Sequence, residues 1–408
     1  MAYLERTLQA EIARVSETFR ILLLTGQRQV GKSTLLKAMA AGTARRFVSL
    51  DHLPLRKLAR EDPELFLQQN PPPLIVDEVQ YAPELFPYLK IYADEHPEHK
   101  GAFWLSGSQK YRLMEGVRES LAGRIAIVDL LGLSFREKRR APAYAPFLPA
   151  LAAPPIDEEL APKPTARDVY RLIWEGSLPE PVVESLDRER YYAAYVQSYI
   201  ERDVRDFYDI AKPIQFFDFL SLAAARTGAL LNYSELARGA GIDVKTAQTW
   251  IGVLERSGLV YLLRPYSPNP GKRIVKSPKL YFLDTGLCAY LTRWLTPESL
   301  MAGAMAGPML ETYAVGEILK SYLHNGRTPL IYHYRDMEKN EVDVLIEQDG
   351  ALYPVEIKKT ANPGRNDVRA FAKLDALGKP RGLGAVLCLQ PERVALNREA
   401  VSIPVWSV

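Results

Sequence analysis

The stretch Gly26-Gln27-Arg28-Gln29-Val30-Gly31-Lys32-Ser33, with Thr34 behind it, constrains this chain more than any other. It has the form G-x-x-x-x-G-K-[ST], a loop that cradles phosphates. The two glycines let the backbone curl tightly, so that amide N–H groups converge on one concavity. Lys32 brings a compact charge to the outer phosphates, and Ser33 offers a hydroxyl to a magnesium ion. The flanks agree. Residues 21–25, Ile-Leu-Leu-Leu-Thr, are a short apolar run of the kind that makes a buried parallel strand. Residues 32–40 read as a helix with Leu35, Leu36 and Met39 on one face. Strand, glycine loop and helix in this order set an anion at a helix amino terminus.

A second apolar run, residues 74–76, ends in Asp77 and Glu78. Asp77 is the expected magnesium ligand, and Glu78 the group that polarises an attacking water. Hydrolysis of ATP, beyond binding, is therefore expected. A third run, 102–105, ends in Ser106-Gly107-Ser108. Ser108, with Ser106 as second choice, is the polar residue expected between Asp77 and the γ-phosphate. A last strand is read over 125–131. Short β segments alternating with helical patterns predict an α/β, doubly wound core.

Composition excludes more than it assigns. A chain of 408 residues should hold several domains, and a net charge of +3 names no partner. The two cysteines, Cys288 and Cys388, lie in apolar runs and imply no disulfide framework. The five histidines show no metal-ligand spacing. The amino-terminal residues lack a signal-peptide pattern, and no apolar run approaches the ~20 residues of a membrane span. A soluble, cytoplasmic protein without membrane partners is expected.

The set GQRQVGKSTLL, LIVDEVQ, FWLSGSQ and ESLAGR resembles a bacterial and archaeal family of AAA+-type ATPases that carry a carboxy-terminal extension. YVQSYIERDV and KSPKLYFLDTGLCAYL are similar to the same family, so the resemblance spans nearly the whole chain. It implies an AAA+-type P-loop ATPase core over residues 1–140. It also implies an arginine reaching the γ-phosphate from a neighbouring subunit, hence a homo-oligomer, ring or dimer. Arg124 is the first candidate and Arg118 the second; Arg202 and Arg205 would instead face the nucleotide from a lid.

Residues 141–165 contain seven prolines and read as an extended linker. Helical patterning returns over 166–212, interrupted once at 174–180, and suggests a helical lid. Residues 213–300 give helix, helix, helix and then a hairpin, the order of a winged helix-turn-helix. Asn232 or Ser234 caps the second helix and Asp243 the third. DNA is the expected partner: Lys245, Thr246, Gln248 and Thr249 would face the major groove. Lys272, Arg273 and Lys276, in a basic loop that also includes Lys279, would meet phosphates. A packing module between subunits is the alternative for the same fold.

Residues 301–408 hold a second constellation. Residues 340–347 and 352–358 read as two strands joined by Asp349-Gly350, a strong hairpin turn. With that turn, pair numbers sum to 699 and Asp343 lies opposite Glu356. Lys358 shares their face. Facing carboxylates repel unless a cation lies between them, which calls for a second Mg2+ or Mn2+. Pro354 cannot donate to a ladder, and a bulge there would shift the register. The arrangement resembles the PD-(D/E)XK nuclease superfamily, with Asp343, Glu356 and Lys358 as its D, E and K. That resemblance makes Glu311, in a helix over 307–322, the extra helix glutamate of resolvase-like members. The alternative is a solvated charged strand with Glu341 facing Lys358.

Three functions compete: an oligomeric ATPase that remodels DNA, with or without metal-dependent cleavage, an ATP-controlled assembly or defence switch, and a scaffold without nucleic-acid chemistry.

Overall fold

The strand β1 (Ile21–Thr25) is buried along its whole length, as an unbroken apolar run in the middle of a parallel sheet must be. The computed structural model describes residues 3–108, 121–152, 162–184, 186–198, 213–269 and 277–408. The chain folds as two compact units. The first comprises residues 1–133 with 256–258 and 323–327, and the second comprises 134–255, 259–322 and 328–408.

In the first unit, α1 (Leu8–Ser16) precedes β1 and α2 (Lys32–Ala40) follows it. Then come β2 (Arg46–Ser49), α3 (Leu53–Glu61), α4 (Pro63–Gln69), β3 (Leu74–Asp77), α5 (Leu85–Glu95), β4 (Phe103–Gly107) and β5 (Ile125–Asp129). The five strands form one parallel sheet in the order β2-β3-β4-β1-β5. Parallel neighbours need crossover connections, and helices supply them between the early strands. One face is packed by Ile21, Leu23, Val76, Phe103 and Leu105 against Phe66, Phe86 and Leu89, all buried. The α/β core read from the sequence is thus present, with β1 an inner strand between β4 and β5.

The second unit begins with a short helical turn, Phe135–Lys138. The described residues of 141–165 form neither helix nor strand, as their prolines require. Helices α6 (Ala166–Glu175), α7 (Arg188–Ser198) and α8 (Pro213–Ala224) follow. Next come β6 (Ala229–Leu230), α9 (Tyr233–Ala240), α10 (Val244–Arg256), β7 (Val260–Leu263) and β8 (Lys279–Phe282). The three strands make an antiparallel sheet in the order β6-β8-β7. Asn232 caps α9 through Glu235 N–H at 3.2 Å, and Asp243 accepts from Thr246 N–H at 2.8 Å. Phe216 and Phe219 both meet Trp250 edge-on, which fixes α8 across α10.

Helices α11 (Thr285–Leu291) and α12 (Ala306–Leu323) lead into a six-stranded sheet. Its strands are β9 (Ile331–Arg335), β10 (Glu341–Gln348), β11 (Ala351–Ile357), β12 (Gly384–Cys388), β13 (Val394–Asn397) and β14 (Ala400–Pro404). The order is β13-β14-β12-β11-β10-β9. Asp349 and Gly350 turn the β10–β11 hairpin with φ of 50° and 78°, the two left-handed residues that a tight hairpin demands. Gln348 pairs with Ala351 and Val344 with Val355, the register deduced from that turn. Pro354 pairs with Leu345 without a bulge; the irregularity falls between β10 and β9 instead. Cys288 and Cys388 are both buried free thiols. Among the described residues, no helix is long and apolar enough to cross a membrane.

Asp284 holds the helical part of the second unit together. It caps α11 by accepting from Leu287 N–H at 2.6 Å. It also accepts from the Ser177 N–H and hydroxyl and from the Tyr192 hydroxyl at 2.8 Å. Gly176 ends α6 at φ 82°, and a Cβ there would fall 2.5 Å from the Tyr192 hydroxyl, so the position requires glycine. Asp284→Ala would leave these buried donors without an acceptor. It is expected to destabilise the second unit by roughly 3 kcal/mol or more, measurable by chemical denaturation.

Candidate functional site

The phosphate loop leaves the carboxyl end of β1. Gly26 has φ 152°, and a Cβ on it would lie 2.2 Å from the Leu130 carbonyl oxygen, so only glycine fits. Gln29 (φ 62°) and Gly31 (φ 91°) turn the backbone into the left-handed region, which draws successive amides to one side. Gly31 is the cap of α2. Arg6 clamps the loop from behind: it donates to Val30 O at 2.9 Å, Leu131 O at 2.8 Å and Gly132 O at 3.1 Å. Val30 is buried, and Arg28, Gln29 and Thr34 are at least partly exposed. Lys32 is buried, and its ammonium donates to Gly26 O and Gln27 O at 2.9 Å each.

Beside the loop, the Ser33 hydroxyl donates to Asp77 Oδ1 at 2.8 Å. Ser106, on β4 beside β3, donates to the same oxygen. Ser108 is buried, and its hydroxyl has no hydrogen-bond partner among the described residues. Of the two serines weighed from the sequence, Ser106 is therefore the one that touches Asp77, and Ser108 stands one residue past β4. Glu78 leaves β3 in a left-handed conformation (φ 57°), and its carboxylate accepts from the Gln80 amide. Burial pushes the Glu78 carboxyl up from its usual range, while Lys32 and Gln80 pull against that shift.

These groups fit a magnesium nucleotide. Ser33 and Asp77 are an all-oxygen donor pair of the kind that hard cations take, and the loop supplies amides and one ammonium for phosphates. Bound magnesium would offset phosphate charge. Ser33 and Asp77 would hold it, Lys32 would leave the loop carbonyls for the outer phosphates, and Glu78 would orient water.

Arg124 lies elsewhere. Because β5 runs parallel to β1, with Ile125 beside Ile21, Arg124 sits at the edge opposite the loop. Five residues at ~3.3 Å each put about 16 Å between the two. It pairs with Asp94 on α5 and donates to Asp94 Oδ2 at 3.0 Å. It cannot serve the nucleotide of its own chain. Arg118, Arg202 and Arg205 lie outside the described residues, as do Lys272, Arg273 and Lys276 of the basic loop. Lys245, Gln248 and Thr249 are exposed on the first turns of α10, and Thr246 is half-buried.

The carboxylates of the second constellation do come together. Asp343 is buried on β10 and accepts from Ile357 N–H at 3.0 Å across the hairpin. Glu356 is buried on β11 and pairs with Lys358 at 2.7 Å, so Lys358 faces Glu356 and not Glu341. Glu311, from α12, joins them. The cation among these groups belongs to the chain. Lys279, read from the sequence as part of the basic loop, opens β8 and is only 4% exposed. Its ammonium lies 3.0 Å from Glu311 Oε1, 2.8 Å from Glu341 Oε1 and 3.1 Å from Asp343 Oδ1. Burial works against that charge, but Glu311, Asp343 and Glu341 outweigh it and hold Lys279 well above the usual lysine range. Burial and Asp343 together push Glu356 up to about 8 and Glu311 up to about 6. A divalent ion at Glu311, Asp343 and Glu356, the second Mg2+ or Mn2+ expected from the sequence, does not fit beside this ammonium.

Three functional side chains escaped the sequence: Arg6, Gln80 and Lys279. Only Lys279 left a signal, since Lys279 and Tyr281 alternate with apolar residues in one strand. The histidines hold a smaller surprise. In the turn after α5, His96, Glu98 and His99 bring ligand atoms within 4.8 Å of one another. The Tyr92 hydroxyl lies 2.7 Å from His99 Nδ1.

Comparison with known proteins divides the chain in three. A family model described as an AAA domain matches residues 18–138. Two models described as domains of unknown function match 166–298 (DUF8612) and 306–407 (DUF4143). The uncharacterized proteins Rv2008c of Mycobacterium tuberculosis and Mb2031c of Mycobacterium bovis are each 28% identical over 360 residues, 88% of this chain and 74% of theirs. Among solved structures, the Walker-type ATPase PABY2304 of Pyrococcus abyssi is similar at 16% identity and a TM-score of 0.43. The match covers 71% of this chain and 96% of that one. The RuvB Holliday junction branch migration motor of Thermotoga maritima gives 15% identity and a TM-score of 0.32, over 62% and 88% of the two chains.

Two outcomes follow for hydrolysis. Lys32→Ala should lower the rate on the order of 100-fold or more, as loss of one preorganised charge does at a phosphoryl site. The acid limb of the kcat–pH profile should lie above the ordinary glutamate value of 4.5, because Glu78 must be ionised to orient water and its pKa is raised. Gln80→Leu removes a donor that favours the anion, so the limb should move to still higher pH; a limb that stays put would remove Glu78 from that role. The geometry of the loop and the matched model lead to one conclusion: residues 18–138 of this chain match an AAA domain and carry a P-loop built for a nucleotide's phosphates.

Proposed function

We propose that the chain is an oligomeric, magnesium-dependent ATPase that acts on DNA. One observation carries the DNA part. The chain order of helices α8, α9 and α10 with an antiparallel sheet ordered β6-β8-β7 supports a winged helix-turn-helix reading. The residues free to enter a groove, Lys245, Gln248 and Thr249, stand on the exposed start of α10. Lys272, Arg273 and Lys276 of the following loop would add phosphate contacts. In this reading 301–408 is a nuclease-like fold that holds DNA without cutting it, and residues 166–212 form the lid.

The position of Arg124 favours a second reading. A residue at the sheet edge opposite the loop can complete only a neighbour's site, so assembly and ATP would be linked. The same dependence suits a motor and an ATP-controlled assembly switch.

Steady-state hydrolysis with duplex, forked and single-stranded DNA tests the first reading. Stimulation of several-fold, lost in Lys32→Ala and weakened by Lys245→Ala, is expected; a rate indifferent to all three DNAs would reject it. Mass measurement with and without ATP tests the second. A switch assembles on ATP and turns over slowly, whereas Arg124→Ala should slow hydrolysis in either case while leaving nucleotide affinity intact. No Mg2+- or Mn2+-dependent cutting of branched DNA above an Asp343→Ala background is expected.

A further inference from the structure

We infer that Lys279 is the resident cation of the Glu311–Asp343–Glu356 cluster and that it masks a latent divalent-metal site. The inference deepens the nuclease-like reading of this cluster and needs no part of the DNA reading.

An ammonium has three N–H donors and no acceptor. Lys279 has three carboxylate oxygens within 3.1 Å: Glu311 Oε1, Glu341 Oε1 and Asp343 Oδ1. Its donors are thus fully used. The acceptors are engaged too. Glu311 Oε1 also accepts from the Tyr281 hydroxyl at 2.6 Å, and Asp343 Oδ2 accepts from Ile357 N–H at 3.0 Å. Lys279 and Tyr281 sit two residues apart on β8, so both side chains reach the cluster from one face of one strand.

A divalent ion would need the same oxygens. Magnesium takes oxygen ligands at about 2.0–2.1 Å and demands near-octahedral order. Glu311 Oε1 and Asp343 Oδ1 are the oxygens it would share, and the ammonium already stands at hydrogen-bond distance from both. A second positive centre beside a buried ammonium is repelled in a medium that screens poorly. Remove the ammonium, and Glu311 of α12 and Asp343 of β10 lose the cation they share, beside Glu356 of β11, which keeps Lys358 at 2.7 Å; together they are a hard-cation donor set.

The test is Mn2+ binding by the nucleotide-free full chain, with bound ion counted from the loss of free Mn2+ paramagnetic signal. The phosphate-loop site contributes equally to every variant, so only differences matter. Wild type and Asp343→Asn should bind the same number of ions. Lys279→Met should gain one ion per chain, at least tenfold tighter than any shared by wild type, and Lys279→Met/Asp343→Asn should lose it again. Lys279→Arg, which keeps the charge, should behave as wild type. Wild type binding one ion that Asp343→Asn abolishes would overturn the inference, and this comparison holds even where Lys279→Met does not fold. A folded Lys279→Met that gains no ion would overturn it as well. Neither result touches DNA-stimulated hydrolysis, so failure here and failure of the DNA reading are separable.

Discussion

A parallel sheet brings the carboxyl ends of its strands to one edge, and the chemistry of the first unit depends on that geometry. β1 ends in the phosphate loop, β3 ends in Asp77, and β4 carries Ser106 near its end. Three segments more than 20 residues apart thereby converge, with Asp77 accepting from both Ser33 and Ser106. The same constraint sends Arg124, which precedes β5, to the far edge. One architectural rule gathers Ser33, Asp77 and Ser106 at one edge and leaves Arg124 at the other, paired with Asp94.

The second unit is organised by buried charge. Asp284 gathers Ser177, Tyr192 and α11, and Lys279 gathers Glu311, Glu341 and Asp343. Both are costly to bury and strongly position-specific, because each unmet donor or acceptor would carry the full loss of its hydration. Lys279 also ties β8 to α12 and β10, segments matched by different family models.

Local rules made much of this legible. The β10–β11 register followed from Asp349-Gly350 alone, since a two-residue turn leaves one pairing, and Pro354 did not disturb it. The loop, α2 and Asp77 were legible because a fixed spacing performs each function. The need for a cation beside Asp343 was legible from electrostatics, but not that it would be Lys279, bridging Asp343 to Glu311 and Glu341 while Glu356 pairs with Lys358. A lysine in a basic-looking stretch carries no mark of where its strand will be laid down. The choice of Ser106 over Ser108 was equally hidden, because it depends on lateral register between β3 and β4.

The sequence by itself determined the elements whose partners are near in the chain: the glycine loop, the caps at Asn232 and Asp243, and the tight hairpin. Each is decided by short-range sterics and hydrogen bonding within a few residues. Only the tertiary structure decided the long-range pairings. It placed Arg6 behind the loop, Asp94 on Arg124, and Lys279 among the carboxylates. Those pairings connect residues between 24 and 126 positions apart. They are selected by which faces pack together, and no local pattern records that choice.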